Sequence, residues 1–290
     1  MSRLIVLGGP TAVGKTSLAI ELAKHYNTEI LSCDSRQIYK ELNIGVARPT
    51  PDELAEVKHH FIATHSLHDT YNAGMYARDV DEKLRELFAT HEVVIMTGGT
   101  GLYIKAAVEG LDELPAENTQ LREQLNLILK NEGLEAIQSI ASNLGVDKEK
   151  IDFSNPQRIM RAIEIAQGGE PETTEHKPKE RFYDVAYFYI DRPREELYDR
   201  INQRVDIMLT KGFEKEAKSV YPYKDLNALQ TVGYREFFKY FDGEWTREYA
   251  IDKMKQKTRN YAKRQLTWFR NQGEYILCRP SLEELLIRLR

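Results

Sequence analysis

The chain has 290 residues, of which 41% are hydrophobic and 30% charged, a composition that can bury a core over about two domains. Its apolar runs are far shorter than the roughly 20 residues of a bilayer span or the h-region of a secretory signal. Its two cysteines offer no Cys/His metal cluster. A membrane protein, a zinc module and a secreted disulfide scaffold are thereby excluded, which favours a cytoplasmic enzyme or binding protein.

The net charge of -4 is unevenly distributed along the chain. Residues 1–180 carry 19 Lys and Arg against 28 Asp and Glu, whereas residues 181–290 carry 22 against 17. A basic segment is typical of proteins with a polyanionic partner. On charge alone, a solvated helical surface explains the segment equally well.

The first 110 residues alternate short apolar runs with helical periodicity, the pattern of βαβ units and a parallel sheet. The stretch after Pro51, which contains His59, His60, His65 and His68, is predicted to be a loop with solvated or capping histidines. The apolar runs predict strands over 3–8, 28–33 and 92–97, and the periodicity predicts helices over 15–26, 72–88 and from 102 onward.

From Glu113 the pattern becomes helical. Asn118 is placed to cap a helix that ends at Gly133, and helical patterns follow over 134–143 and 155–166. The polar stretch from Gly168 to Glu180 is predicted to be a mobile surface segment. We then expect a strand over 184–190, helices from 194 to 270 and a last helix that begins at a capping box at Ser281. The predicted domains are a core over 1–113 and 181–290 and a helical insertion over 114–180.

A phosphate-binding loop is indicated between the first predicted strand and helix. Its residues are Gly9, Pro10, Thr11, Ala12, Val13, Gly14, Lys15 and Thr16, which fit the pattern G-x-x-x-x-G-K-[ST]. Glycines let backbone N–H groups surround a phosphate at a helix N-terminus, Lys15 neutralises an outer phosphate, and the Thr16 hydroxyl suits Mg²⁺. The loop predicts a bound di- or triphosphate without saying which.

The acidic residue is not where an ordinary P-loop NTPase carries it, at the end of a Walker-B strand. The predicted strand that ends near Thr97 lacks a carboxylate, whereas Asp34 follows the second predicted strand. Ligands of open α/β sheets bind beyond the carboxyl ends of the strands. Asp34 is therefore predicted to face the phosphate loop as a base or a metal-assisting group, and capping of the segment that follows is a compatible second role.

Five further motifs accompany the phosphate loop along the chain. They are Asp34-Ser35-Arg36-Gln37, Gly98-Gly99-Thr100-Gly101-Leu102-Tyr103, Pro156-Gln157-Arg158-Ile159-Met160-Arg161-Ala162, Thr231-Val232-Gly233-Tyr234-Arg235 and Lys263-Arg264-Gln265-Leu266-Thr267-Trp268-Phe269-Arg270. The series of six resembles the tRNA isopentenyltransferase family in order and spans almost the whole chain. The phosphate loop alone is generic, but the series is specific.

The resemblance implies an α/β fold of the P-loop NTPase type, a parallel sheet flanked by helices, with a helical insertion that grips the anticodon arm. It implies transfer of the dimethylallyl group of dimethylallyl diphosphate to N6 of adenosine 37 in tRNA. In this family the phosphate loop holds the prenyl donor in place of ATP, and Mg²⁺ assists. We expect the compact bacterial form of the enzyme, acting as a cytoplasmic monomer.

The resemblance also implies roles for individual residues. Asp34 is the base that takes the N6 proton, the loop from Gly9 to Thr16 holds the donor, Arg204 reaches the donor's phosphates, and Thr16 ligates Mg²⁺. Contacts with tRNA are implied for Asp34, Ser35, Arg36, Gln37, Thr100, Arg122, Gln157, Arg158, Ile159, Met160, Arg161, Gln230, Thr231, Val232, Gly233, Tyr234, Arg235, Lys263, Arg264, Gln265, Leu266, Thr267, Trp268, Phe269 and Arg270.

One motif departs from the family pattern. Gly45-Val46-Ala47-Arg48-Pro49 stands where the family usually has Gly-Thr-Ala-Lys-Pro. Any role of that threonine hydroxyl is missing here.

The segment from Arg247 to Arg270, which ends in the last of the six motifs, is also a candidate for RNA binding by its composition. It holds eight basic and two acidic residues with interleaved aromatic residues, a composition that suits a base splayed out of an RNA loop. Ile251, Met254, Tyr261 and Leu266 are predicted to form its buried stripe.

Three alternative functions stay open at this point. A P-loop kinase of a small metabolite shares the fold and predicts ATP binding. An adenylate isopentenyltransferase uses the same donor with free AMP-type acceptors. A non-catalytic RNA-binding protein has no need of Lys15, Thr16 and Asp34 together.

Overall fold

A computed structural model describes residues 2–111, 118–168 and 179–289. The chain divides into two compact units, of which the first joins Met1–Gly110 to Lys179–Arg290 and the second is Leu111–Pro178. The second unit overlaps the predicted insertion over 114–180. The predicted mobile segment over 168–180 lies almost wholly outside the described residues.

The first unit is built on a six-stranded sheet in which every pairing is parallel. The strand order is β3-β2-β4-β1-β5-β6, so β1 is central and every crossover needs a connection over a face of the sheet. This architecture confirms the predicted fold class. The strands are β1 (Arg3–Gly8), β2 (Ile30–Ser32), β3 (His59–His60), β4 (Val93–Gly98), β5 (Asp184–Ile190) and β6 (Ile276–Cys278).

Helices cover both faces of this sheet because side chains alternate along each strand. Leu4 and Val6 enter one hydrophobic core, and Ile5 and Leu7 enter the other. The helices of the first unit are α1 (Lys15–Tyr26), α2 (Pro51–Glu56), α3 (Ala73–Phe88), α4 (Gly101–Glu109), α8 (Arg194–Thr210), α9 (Phe213–Val220), α10 (Tyr234–Phe241), α11 (Arg247–Arg270) and α12 (Leu282–Leu289).

The predicted loop after Pro51 is wrong over 51–60, where α2 and β3 form, and right for His65 and His68, which lie between β3 and α3. The strand β6 was not predicted. Thr50 and Glu53 form a capping box that starts α2, a signal that the sequence carried. His60 is half-buried and hydrogen-bonds to Glu29. The strands β3 and β6 have two and three residues, too few for a periodicity to show, and only pairing with β2 and β5 defines them.

The second unit is helical, as its periodicity predicted. Asn118 and Asn155 accept backbone N–H groups and cap the first and third helices. A separate core forms around Leu125, Ile137 and Ile163. The helices are α5 (Thr119–Glu132), α6 (Leu134–Asn143) and α7 (Pro156–Gln167).

Within the described ranges, no helix combines the length and apolar character needed to cross a bilayer.

Candidate active site

The phosphate loop lies between β1 and α1, where its motif requires it. Gly9, Ala12 and Gly14 have φ angles of 144°, 64° and 106°, so the backbone turns through conformations that favour glycine. A Cβ on Gly9 would lie 2.7 Å from the carbonyl oxygen of Ile190. Gly14 caps α1 without a side-chain acceptor, which leaves the helix N-terminus available to an anion.

Two cationic side chains face each other at this loop. Lys15 Nζ donates to the Pro10 carbonyl at 2.7 Å, and Arg204 Nη1 donates to Thr11 Oγ1 at 3.3 Å. Burial and the charge of Arg204 lower the pKa of Lys15 to about 7, although Asp34 opposes the shift. Burial and the charge of Arg200 likewise lower the pKa of Arg204. A bound diphosphate would offset this repulsion, so the loop is electrostatically prepared for an anion.

Two arginines outside the six motifs hold the phosphate loop through its backbone carbonyls. Arg200 Nε donates to the Ala12 carbonyl and Arg192 Nε to the Val13 carbonyl, both at 2.8 Å. Sequence reasoning missed both residues because nothing in the local pattern around α8 pairs them with a loop about 180 positions earlier.

Asp34 follows β2 and lines the same cavity as Lys15, Thr16 and Arg204. Its Oδ1 accepts the backbone N–H groups of Arg36 at 2.9 Å and Gln37 at 3.3 Å. The carboxylate is thus fixed by the turn that it caps, the compatible second role predicted for it. No hydrogen bond from the described residues reaches its second oxygen, Oδ2.

The glycines of the Gly98–Gly101 motif make room for other parts of the site. A Cβ on Gly98 would lie 1.9 Å from the Cys33 carbonyl oxygen, and one on Gly101 would lie 2.4 Å from the Trp268 ring. Gln265 Oε1 accepts Thr11 N–H and its Nε2 donates to the Gly99 carbonyl, both at 2.9 Å. Gln265 therefore ties the phosphate loop to this motif.

The cavity at Asp34 has a volume of about 150 Å³ and combines a charged and an apolar side. A second cavity of about 510 Å³ shares Lys15, Thr16 and Arg204 with it. Such convergence of a few polar groups with apolar walls is typical of small-molecule sites. The apolar lining of the smaller cavity includes Val46, Val205, Met208, Val232 and Met254.

Two side chains, Glu216 and Gln37, hydrogen-bond to the backbone of the loop that contains Val46. Glu216 accepts the backbone N–H groups of Asn43, Ile44 and Gly45 and the hydroxyl of Tyr234. Gln37 Nε2 donates to the carbonyls of Val46 and Ala47 at 3.2 and 3.0 Å. The family's threonine position thus contributes a methyl-lined wall here, and no sequence signal identified Glu216 as its support.

The oxygen ligands near the phosphate loop fit Mg²⁺ when a diphosphate is bound as well. Thr16 supplies a hydroxyl and Asp34 a carboxylate to the same cavity, and Mg²⁺ is commonly held by one or two carboxylates together with substrate phosphates and water. The described residues hold no group of three or more His, Cys, Asp or Glu that could bind a metal alone. A metal at this site would therefore depend on the diphosphate for its other ligands.

The other residues predicted to contact tRNA divide by burial. Ser35, Arg36, Gln37 and Thr100 are half-buried around Asp34, where Thr100 Oγ1 accepts Ser35 N–H at 3.1 Å. Arg158, Gln230, Arg235, Lys263, Arg264, Thr267 and Arg270 are exposed, as is Gln157, and Thr231, Val232, Leu266 and Trp268 are half-buried. Ile159, Met160, Gly233, Tyr234, Gln265 and Phe269 are buried. The side chains of Ile159, Met160, Tyr234 and Phe269 belong to the hydrophobic cores.

The buried stripe of α11 also differs from the prediction. Met254 is buried, but Ile251, Tyr261 and Leu266 are only half-buried. The buried positions of α11 include Ala262, Gln265 and Phe269. The reason is the neighbouring glycines, since Gly8, Gly99 and Gly101 leave space into which Phe269, Gln265 and Trp268 fit.

In the second unit, Arg122 and Arg161 meet at one carboxylate. Glu164 is 3% exposed and accepts Arg122 Nε at 2.7 Å and Arg161 Nη1 at 3.1 Å. Burial would raise the pKa of Glu164, but the hydrogen bonds and charges of the two arginines outweigh it and hold the pKa below its ordinary value.

Comparison with known proteins gives consistent matches over nearly the full length. Residues 37–272 match the sequence model of a family described as IPP transferase. The tRNA dimethylallyltransferase of Christiangramia forsetii is 47% identical over 276 residues, which cover 93% of this chain and 91% of the relative. The tRNA dimethylallyltransferase 1 of Phocaeicola vulgatus is 44% identical over 282 residues, 96% of this chain and 94% of the relative.

Solved structures agree with these matches. The full-length tRNA isopentenylpyrophosphate transferase of Bacillus halodurans is 31% identical and aligns with a TM-score of 0.74 over 100% of this chain and 94% of that one. A eukaryotic dimethylallyltransferase acting on tRNA shares the fold, with a TM-score of 0.76 at 24% identity over 97% of this chain and 74% of that one.

Proposed function

Because this chain belongs to the IPP transferase family, we propose that it transfers a dimethylallyl group from dimethylallyl diphosphate to N6 of adenosine 37 in tRNA. The observation that carries the proposal is a single cavity lined by the phosphate loop, by Asp34 and by apolar side chains. The loop suits the diphosphate, the apolar wall suits the five-carbon group, and Asp34 suits the acceptor amine.

The reaction joins two partial steps at this cavity. The N6 lone pair forms a bond to the allylic carbon while the bond from that carbon to the diphosphate oxygen breaks. Lys15, Arg204 and the loop N–H groups stabilise the departing anion. Asp34 takes the proton that N6 loses, a contribution of about 10²–10⁴ for a positioned base.

Mg²⁺ would be held by Thr16 and the diphosphate, with Asp34 near. When bound, it supplies positive charge for the leaving group.

The kinase alternative has less support. In a P-loop kinase, the Walker-B carboxylate would lie at the end of β4, the strand that pairs with β1. That position holds Thr97 instead, whose hydroxyl donates to the Leu7 carbonyl at 3.2 Å. The adenylate isopentenyltransferase alternative shares the donor and differs in the acceptor, so a comparison of tRNA with AMP distinguishes the two functions. We further propose that the protein acts in the cytoplasm, on tRNA, and as a monomer.

A transfer assay tests the proposal. Purified protein, Mg²⁺ and dimethylallyl diphosphate are incubated with unmodified tRNA that carries adenosine 37 and, in parallel, with AMP, and nucleosides are read by mass spectrometry. We expect one dimethylallyl mass on adenosine of tRNA alone. Modification of AMP would favour the adenylate enzyme, and ATP hydrolysis without prenyl transfer would favour a kinase.

A further inference from the structure

Seven of the eight basic residues of α11, all except Lys263, fall into two sets with different partners. Arg247 pairs with Glu214 at 2.7 Å, Lys255 with Asp206 and Arg270 with Asp191, both at 2.6 Å. Arg259 donates to Asn202 Oδ1 at 2.7 Å. The charges of three members of this set are therefore already balanced within the protein.

The second set lies along one stripe of the helix surface. Positions 249, 253, 257, 260 and 264 recur at spacings of three and four residues and so share a face. In the described part of the chain, none of Lys253, Lys257 and Arg264 forms an ion pair with a carboxylate, and Lys253 Nζ bonds to Gln256 Oε1 at 3.1 Å. The acidic residues of the helix, Glu248 and Asp252, fall on the face of Lys255 and Arg259.

The stripe consists of Tyr249, Lys253, Lys257, Asn260 and Arg264. Tyr249 is 46% exposed, Lys257, Asn260 and Arg264 are exposed, and Lys253 is half-buried. The adjacent helix α10 adds the exposed Arg235 and buries its carboxylate Glu236. This surface thus presents cations, an amide and an aromatic ring with no acidic residue among its five members.

Four of the five members of the stripe are sequence neighbours of residues that line the reaction cavity. Met254, Thr258, Tyr261 and Gln265 line the cavity that contains Asp34. Lys253, Lys257, Asn260 and Arg264 each directly precede one of these residues in the sequence. From Lys253 to Arg264 the helix rises about 16 Å, so the cations follow the cavity wall in a row.

We propose that this stripe is a track for the phosphate backbone of the tRNA whose adenosine enters the cavity. The inference rests on the proposed function and extends the RNA contact beyond the Lys263–Arg270 motif to Tyr249, Lys253, Lys257 and Asn260. Cations without an acidic partner bind phosphates favourably because counterions are released. Cations already paired with Asp206 or Glu214 contribute little to phosphate binding. Lys253 Nζ lies 5.0 Å from the centroid of the Tyr249 ring, and the exposed part of that ring offers a surface on which an unpaired base stacks.

The salt dependence of tRNA binding tests the proposal. Binding of unmodified tRNA is measured without donor from 50 to 200 mM salt for the wild type and for Lys253→Gln/Lys257→Gln. Each phosphate contact adds about 0.7–0.9 to the slope of log K against log salt. We expect weaker binding and a slope smaller in magnitude by about 1.4–1.8.

The matched control is Arg247→Gln/Lys255→Gln, which removes the same charge from the same helix at paired positions. It should leave the slope unchanged. The proposal is overturned if the first variant keeps the wild-type slope or if both variants lower it equally. Prenyl transfer by the wild-type protein is measured in parallel. If the wild type transfers the prenyl group, a failure of the salt test concerns the stripe alone, whereas absence of transfer would contradict the proposed function.

Discussion

The two oxygens of Asp34 differ in their contacts, and this decides which substitution tests the proposed base. Oδ1 holds the turn through Arg36 N–H and Gln37 N–H, so alanine would disturb the geometry and the chemistry together. Asparagine keeps an acceptor for the turn and removes only the charge and the basicity.

We therefore expect Asp34→Asn to lower the single-turnover rate of prenyl transfer about 10²–10⁴-fold, the usual contribution of a general base. Binding of tRNA should change little. Rapid-quench measurement at saturating tRNA and donor gives the rate, and a filter assay gives the affinity. Turnover at the wild-type rate would contradict the assignment of Asp34 as the base.

Gln265 is the residue for which the resemblance and the geometry give different roles. The resemblance implies a contact with tRNA, whereas the side chain is 7% exposed and joins Thr11 N–H to the Gly99 carbonyl. Gln265→Leu leaves two backbone groups unpaired, at a cost of about 1–3 kcal/mol each.

For Gln265→Leu we predict weaker binding of dimethylallyl diphosphate, because the phosphate loop loses its tie to Gly99. Calorimetric titration with the donor measures the effect, and tRNA affinity is followed in parallel. A loss confined to tRNA affinity would support the direct contact instead.

Helices α5 and α7 meet at the charge cluster of Glu164, Arg122 and Arg161. Since the pKa of Glu164 is lowered in the folded unit, its stabilisation is complete at neutral pH. It is lost as the pH falls below the ordinary glutamate value of about 4.3 and through the folded-state pKa. The arginine side chains are 29% and 31% exposed, so the cluster contributes less than a fully buried pair.

Accordingly, Glu164→Gln should destabilise the second unit by about 1–3 kcal/mol at pH 7. Amide hydrogen exchange in α5 and α7 measures the local loss of stability. The difference in stability between the variant and the wild type should shrink below pH 4.3. Exchange that is equally fast in both proteins at pH 7 would show that the cluster does not stabilise these helices.

The order of the units along the chain implies a test on the whole molecule. The first unit is assembled from two segments whose ends meet, since Lys179 N–H donates to the Glu109 carbonyl at 3.0 Å and Lys179 Nζ pairs with Asp81 at 2.9 Å. A short linker therefore suffices to join them.

Replacement of residues 111–178 by a short Gly/Ser linker should leave a first unit that folds and binds dimethylallyl diphosphate. Affinity for tRNA should fall, because Arg122 and the Gln157–Arg161 stretch are removed. Circular dichroism and donor titration check the fold, and tRNA binding checks the second expectation. A shortened protein that folds and keeps full tRNA affinity would show that the second unit is dispensable for RNA binding.

Local signals in the sequence determined the phosphate loop, the bounds of β1 and α1, the Asn118 cap and the parallel α/β class. Each depends on neighbouring residues, as in the turn of Gly9–Thr16 or the alternation of Leu4 to Leu7. The motif series further determined the family.

Only the tertiary structure decided which residues support the site. Arg192, Arg200 and Glu216 reach their loops across about 170 to 190 positions, and no short-range pattern encodes such contacts. The same holds for β3 and β6, which exist through pairing, and for α11, whose cations differ only in whether Asp206, Glu214 or Asp191 lies opposite. Contacts between distant segments depend on the packing of the whole sheet, which local periodicity does not specify.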